Sequence, residues 1–144
     1  MILPQFYIDD LIKNAITEDI NYIDVATDYL LYEGAVSQAF FVAKADGVLC
    51  GAEIAMRVFE LLDDQFSYTL YKKDGDVVKN GDLIAEFKGR TVKLLKGERT
   101  ALNLIQHMSG IATLTNECVQ QIEGTEATIA DTRKTLPGLR SLQK

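Results

Sequence analysis

Residues 97–135 read GERTALNLIQHMSGIATLTNECVQQIEGTEATIADTRKT, and this stretch decides the fold class. Its apolar side chains recur at helical spacing, which predicts one long helix from Gly97 to a stop at Gly124. The β-prone run over 126–131 follows at once and predicts a short buried strand. A long helix that feeds a short buried strand is typical of the start of an α/β unit.

Residues 1–96 predict a different organisation, in which helices alternate with short strands. The apolar and turn patterns predict first a helix that includes 8–16, a loop over 17–30 and a hairpin over 36–50 with its turn at Asp46-Gly47. They then predict a helix over 51–64 and a strand over 66–70. Further short strands are predicted around the turns Asp74-Gly75 and Asn80-Gly81. This order predicts an α+β N-terminal sandwich domain, with helices on a mostly antiparallel sheet. In the long helix that follows, Ser109-Gly110 predicts a bend or a close backbone approach.

Length and composition restrict the class of protein. The chain has 144 residues, 47% of them hydrophobic and 25% charged, as expected for one soluble globular domain with a sizeable core. No apolar run has the length of a membrane span and the start lacks a signal-peptide layout, so we expect a cytoplasmic protein. A complete barrel enzyme of about 250 residues is excluded by length. Cys50 and Cys118 have no CxxC spacing, which predicts two reduced, buried thiols.

The net charge of −6 is unevenly distributed along the chain. Residues 1–88 hold 7 basic and 16 acidic side chains, whereas residues 89–144 hold 8 basic and 5 acidic ones. The acidic first part argues against nucleic acid as a partner of the whole chain. The basic second part could serve an anionic small molecule, or it could be a solvated face with a few extra lysines.

The strongest candidate site is Thr132-Arg133-Lys134-Thr135, directly after the predicted strand. Ligands of parallel sheets and barrels gather at the carboxyl ends of strands. Arg133 could bind a carboxylate or phosphate through paired hydrogen bonds, and Lys134 could supply a compact positive charge. Asp131 could orient Arg133 or a ligand hydroxyl, or it could be a turn residue. An exposed basic loop without a ligand is the alternative for the whole cluster.

Three other residues have weaker signals. Arg99 lies at the start of the long helix beside Glu98, where a surface salt bridge is the simplest interpretation. His107 lies among apolar helix neighbours and is better explained as a packed or surface histidine than as a catalytic one. Lys79 lies in a hairpin, residues 75–84, that is similar to lipoyl and biotinyl carriers, but it lacks their Met-Lys-Met frame. The sequence has no Ser/His/Asp set, metal-ligand cluster or GxxxxGK[ST] loop.

Two long passages and a weaker one resemble a known family. The long ones are GERTALNLIQHMSGIATLT (97–115) and ATIADTRKTLPGLRSLQK (127–144), and the weaker one is AITEDINYIDVATDYL (15–30) together with the hairpin AKADGVLCG (43–51). They resemble quinolinate phosphoribosyltransferase, the carboxylating nicotinate-nucleotide pyrophosphorylase. The resemblance covers nearly the whole chain but only about the first half of such an enzyme.

The resemblance implies a two-domain architecture and a reaction. We expect an N-terminal α/β sandwich at residues 1–104 and the start of a C-terminal α/β barrel, incomplete here, at residues 105–144. The family converts quinolinate and phosphoribosyl pyrophosphate to nicotinate mononucleotide, pyrophosphate and carbon dioxide in NAD synthesis. Magnesium assists, and its ligands are expected beyond residue 144. The family works as a homodimer, in which one subunit's N-terminal domain caps the other's barrel.

The resemblance also implies roles for individual residues. Arg99 would reach across the dimer interface to the carboxylates of quinolinate. Thr132, Arg133 and Lys134 would line the quinolinate pocket, with Lys134 as the catalytic residue. There are two departures from the family's pattern: Ile23-Asp24 stands where the family usually has a Gly-Asp pair, and His107 stands where arginine is common.

Two alternatives to this enzyme remain open on the sequence. The first is the related phosphoribosyltransferase-like protein found with molybdenum transport, which shares the fold and similar motifs and whose substrate could differ. The second is a non-catalytic fold or dimerisation module. For the quinolinate phosphoribosyltransferase itself, we expect the isolated 144-residue chain to lack turnover, because the barrel is incomplete.

Overall fold

The computed structural model of the chain describes residues 3–20, 24, 27, 29, 32 and 34–144. Its helices and strands are, in chain order, α1 (Gln5–Asp19), β1 (Val36–Val42), β2 (Gly47–Val48), α2 (Ala52–Leu62), β3 (Ser67–Leu70), β4 (Val77–Val78), β5 (Leu83–Arg90), α3 (Thr91–Gln121) and α4 (Arg140–Gln143). Within these residues no helix combines the length and the apolar character needed to cross a membrane.

The main sheet has three antiparallel strands in the order β1-β5-β3. Phe87 of β5 lies opposite Ala39 of β1 on one side and opposite Tyr68 of β3 on the other. A separate two-stranded sheet pairs β2 with β4. The predicted antiparallel sheet is thus confirmed, and its central strand is the one furthest along the chain.

The hairpin predicted over 36–50 is wrong, because β1 and β2 do not pair with each other. β1 pairs with β5, and Ala43 just beyond it exchanges backbone hydrogen bonds with Asp82 and Gly81, each 2.9 Å long. β1 pairs with β5 and not with β2 because β5 is longer and has a buried face. β5 offers eight residues with a buried face, whereas β2 ends after Val48, shortly before the turn into α2.

α2 fits the predicted helix and supplies the centre of the core. Its buried face includes Val58 and Phe59, and the ring of Phe59 stacks on that of Phe87 with centroids 5.0 Å apart. The helix begins after Gly51, whose φ of +90° favours glycine. The carboxylate of Asp74 accepts hydrogen bonds from the backbone N–H groups of Gly51 and Ala52, at 2.8 and 3.0 Å. The predicted turn at Asp74-Gly75 therefore also caps this helix.

α3 begins at Thr91, earlier than the predicted start at Gly97, and continues without interruption to Gln121. The close backbone approach predicted for Ser109-Gly110 is not found at the glycine, since nothing lies within 4 Å of a β-carbon built at Gly110. The side chain of Ser109 does contact a neighbouring backbone: its hydroxyl accepts a hydrogen bond from the N–H of Cys50 at 3.0 Å and donates one to the carbonyl of Cys50 at 3.1 Å. The predicted stop is also found, since Gly124 has a φ of +82° just past the helix.

Other expectations need correction. The segment 126–131 forms no strand, because a strand requires a hydrogen-bonding neighbour and none pairs with this segment in the described chain.

Both cysteines are free, but only Cys50 is partly buried, since Cys118 lies on an exposed side of α3. The loop predicted over 17–30 starts later, because α1 continues to Asp19. Residues 21–23, 25, 26, 28 and 30, which include Ile23, lie outside the described residues.

Candidate functional site

Arg99 lies on the outer side of α3 and forms an ion pair with Asp19, the last residue of α1. The Nε of Arg99 is 2.9 Å from Oδ1 and 3.1 Å from Oδ2 of Asp19. This hydrogen bond raises the pKa of the guanidinium above its ordinary value, and the charges of Asp24 and Glu98 add to the effect. The salt bridge expected from the sequence is therefore present, with a partner that the sequence did not suggest.

The ion pair leaves the outer end of Arg99 available. The Arg99 side chain is 63% exposed, against 25% for Asp19. Among the residues that the structure describes, none accepts a hydrogen bond from Nη1 or Nη2 of Arg99. A guanidinium held at Nε can still present its two terminal nitrogens to a carboxylate in the paired geometry that such groups prefer.

The basic loop Thr132-Arg133-Lys134 is exposed and has its own internal order. The backbone N–H of Lys134 donates to the hydroxyl of Thr132 at 3.1 Å. Arg140 donates from Nη2 to the carbonyl of Arg133 at 3.3 Å and from Nε to the hydroxyl of Thr135 at 3.1 Å. Arg140 thus supports the loop from α4. The only sequence signal for this role is its position a few residues beyond the loop.

In this chain Arg99 and the 132–134 loop have different hydrogen-bond partners, Asp19 for the first and Arg140 for the second. Within the described ranges, no hydrogen bond or ion pair joins Arg99 to the 132–134 loop. Asp131 pairs with Lys144, at 2.8 Å between carboxylate and ammonium, and not with Arg133. Arg99 and the loop are thus held by different partners, and neither belongs to the lining of the two cavities described below.

A cavity of about 520 Å³ lies between α1, α3 and the C-terminal segment. Its lining includes Asp19, Thr100 and His107. The hydroxyl of Thr100 is buried and has no hydrogen-bond partner among the described residues. The Nε2 atom of His107 is 2.8 Å from the side-chain nitrogen of Gln143, so the histidine links α3 to α4. This partly buried contact fits the packed histidine expected from the sequence.

A larger open groove of about 1250 Å³ lies between β1 and α3. Its walls are mainly apolar and include Phe41 and Ile105, and its lining contains neither Arg99 nor the 132–134 loop. One polar group in it is already paired, since the hydroxyl of Thr113 accepts from the N–H of Val48 at 2.9 Å. The groove is therefore not the predicted anion site. It was missed because its walls come from segments far apart in sequence.

A metal site is not formed by the described part of the chain, where no three His, Cys, Asp or Glu side chains are grouped suitably.

Comparison with known proteins gives a consistent result across both segments of the chain. The family model "Quinolinate phosphoribosyl transferase, N-terminal domain" matches residues 24–109, and the model of the C-terminal domain of the same family matches residues 111–144. The two matched regions meet inside α3, which is continuous at that point.

Curated relatives and solved structures agree with the family models. The chain is 44% identical over 134 residues to a probable nicotinate-nucleotide pyrophosphorylase [carboxylating] of Bacillus subtilis, covering 93% of this chain and 46% of that one. It is 40% identical over 141 residues to the Mycobacterium leprae enzyme of that name, covering 94% and 49%.

The crystal structure of NadC from Streptococcus pyogenes superposes with a TM-score of 0.93 at 38% identity, covering 99% of this chain and 50% of that one. The nicotinate-nucleotide pyrophosphorylase of Francisella tularensis gives a TM-score of 0.91 at 34% identity, with the same coverage. The chain spans about half the length of the curated relatives that it matches. On these matches, which include the segments that hold Arg99 and the 132–134 loop, the chain belongs to the quinolinate phosphoribosyltransferase family.

Proposed function

We propose that the chain is the first part of an enzyme that converts quinolinate and phosphoribosyl pyrophosphate to nicotinate mononucleotide, pyrophosphate and carbon dioxide in NAD biosynthesis. The observation that carries this proposal is the consecutive match to both domains of the family. The names of the curated relatives support it, because a carboxylating nicotinate-nucleotide pyrophosphorylase catalyses this reaction written in reverse.

The reaction explains why a cationic site without a nucleophile is sufficient. The ring nitrogen of quinolinate forms a bond to C1 of the ribose while the bond from C1 to pyrophosphate breaks. The carboxylate next to the ring nitrogen then leaves as carbon dioxide, and the electron pair left on the ring carbon takes up a proton. Both steps require that two anionic substrates be held together and that changing charges be stabilised, which fixed cations achieve.

Arg99 and the 132–134 loop are our candidates for the quinolinate site. The open end of the Arg99 guanidinium suits a carboxylate. Thr132 and Arg133 suit the polar wall of a dicarboxylate pocket, and Lys134 is the candidate catalytic residue because its ammonium is a compact charge. The exposure of the loop and its support by Arg140 are consistent with these roles.

We further propose a homodimer, as the family resemblance implies, in which the exposed Arg99 enters the neighbouring subunit's site. We expect magnesium to assist the reaction, held by residues beyond 144, as the family resemblance implies. The cytoplasmic location expected from the sequence stays a prediction.

The experiment uses the full-length protein that contains this chain. With quinolinate, phosphoribosyl pyrophosphate and magnesium, we expect nicotinate mononucleotide and carbon dioxide in equal amounts. Replacing Arg99 by Ala should raise the KM for quinolinate by roughly tenfold to a hundredfold, as expected for the loss of a charged hydrogen bond. Failure to use quinolinate while nicotinate or another acid is accepted would point to the molybdenum-associated relative. No turnover with any acid would favour a non-catalytic module.

A further inference from the structure

Asp19 is the ion-pair partner of Arg99, the candidate contact for quinolinate. It is the last residue of α1, and it binds Arg99 across a sequence distance of 80 residues. The carbonyl end of a helix carries a partial negative charge, so a carboxylate at this position destabilises α1 by itself. The stability of α1 therefore does not account for an acidic side chain at position 19.

The geometry of the contact favours a positioning role. Both carboxylate oxygens of Asp19 lie within 3.1 Å of Nε and thus occupy the inner edge of the guanidinium. A free arginine side chain has many rotamers, and fixing one of them in advance reduces the entropy lost when a ligand binds. Asp19 is also the less exposed partner, at 25%, which suits the anchoring member of the pair.

We propose that Asp19 is the positioning residue for Arg99, holding the guanidinium at Nε so that its terminal nitrogens are presented to a substrate carboxylate. This inference rests on the proposed function, in which Arg99 contacts quinolinate. A residue of α1 thereby helps to determine the affinity for the acid substrate.

Asp19 also has an effect that opposes substrate binding. The direction in which the KM for quinolinate changes in an Asp19 variant therefore distinguishes the two effects. A negative charge beside Arg99 also repels an incoming carboxylate. If repulsion dominated, removing the charge of Asp19 would lower the KM for quinolinate. If positioning dominates, as we propose, the same change raises it.

The test is made in the full-length enzyme with Asp19→Asn and Asp19→Glu. We expect Asp19→Asn to raise the KM for quinolinate by about tenfold, a coupling usual for contacting residues. The KM for phosphoribosyl pyrophosphate and the kcat should stay near the wild-type values. Asp19→Glu keeps the charge and should recover most of the lost affinity. In the background of Arg99→Ala, Asp19→Asn should have almost no further effect.

Asp9→Asn is the matched control, since Asp9 is also an acidic residue of α1 and binds Arg57 of α2 at 2.8 Å through two oxygens. This variant should leave the KM for quinolinate unchanged. An unchanged or lowered KM in Asp19→Asn, an equal loss for both substrates, or additivity with Arg99→Ala would overturn the positioning role. If Arg99→Ala alone has no effect, the proposed role of Arg99 is the part that fails.

Discussion

Gly97 of α3 lies directly against the ring of Phe59 of α2. A β-carbon at position 97 would be 2.8 Å from Cδ1 and 2.9 Å from Cε1 of that ring. The glycine therefore lets the two helices approach closely at the most buried aromatic side chain of the core. Its low helix propensity is the cost of this contact, and it explains why a glycine occurs in the interior of a long helix.

We predict that Gly97→Ala destabilises the chain by about 1–3 kcal/mol, because the new methyl group must displace the buried ring. Gly110→Ala is the matched control on the same helix, since nothing lies within 4 Å of a β-carbon built there. That change should stabilise the chain by up to about 1 kcal/mol through helix propensity. Urea unfolding of both variants measures the two effects. Equal effects of the two substitutions would contradict close packing at Gly97.

Asp63 makes the stability of the fold depend on acid pH. It is 2% exposed and accepts hydrogen bonds from the backbone N–H of Arg90 at 2.7 Å and of Gln65 at 3.0 Å. Burial raises the pKa of this carboxyl. The hydrogen bonds from the two N–H groups and the guanidinium of Arg90 outweigh that effect, so the pKa lies below its ordinary value.

A lowered pKa means that the folded state favours the ionised form. The contribution of Asp63 is therefore complete above the pKa of the unfolded chain, about 3.9, and is lost as the pH falls through the lower folded value. We expect Asp63→Asn to cost about 1–3 kcal/mol at pH 7 and progressively less below pH 4. Asp64→Asn is the control, because Asp64 is 85% exposed and binds the same arginine. A pH-independent difference between wild type and Asp63→Asn would refute this assignment.

The sequence predicted those parts of the fold that depend on local pattern. The faces of α1 and α2 follow helical periodicity, and the turns at Gly75 and Gly81 have the positive φ that favours glycine. The partner of β1 was not predictable in this way. The pairing of β1 depends on the buried face of β5, which lies more than 40 residues away in the sequence. The start of α3 was missed because tertiary packing offsets the low helix propensity of Gly97.

In the candidate site, too, local pattern predicted individual residues but not the contacts between distant segments. Local pattern and family resemblance identified Arg99 and the 132–134 loop, since these residues lie in continuous motifs. Asp19 and Arg140 were not identified as their partners. The first contact joins two helices distant in sequence, and the second depends on how the chain turns back after Gly138.

Thr100 offers a test of the cavity beside the Arg99–Asp19 pair. Its buried hydroxyl has no partner among the described residues, and such a group costs free energy when it is desolvated. We expect Thr100→Val to raise the free energy of unfolding by up to about 1 kcal/mol, since valine has nearly the same shape without the hydroxyl. Thr91→Val is the control and should be destabilising, because the Thr91 hydroxyl is 2.7 Å from that of Ser37. A comparable loss in both variants would indicate that the Thr100 hydroxyl is paired.

The isolated 144-residue chain should not convert quinolinate and phosphoribosyl pyrophosphate to product at a measurable rate. The reason is exposure: Arg99 is 63% exposed, the 132–134 loop is exposed, and neither belongs to the lining of the two cavities described above. Without a shared, water-excluding site, fixed cations give little stabilisation of a changing charge. The measurement is nicotinate mononucleotide formation by the purified chain, beside the full-length protein at equal concentration. Product from the isolated chain above the level of an Arg99→Ala, Lys134→Ala double variant would contradict this prediction.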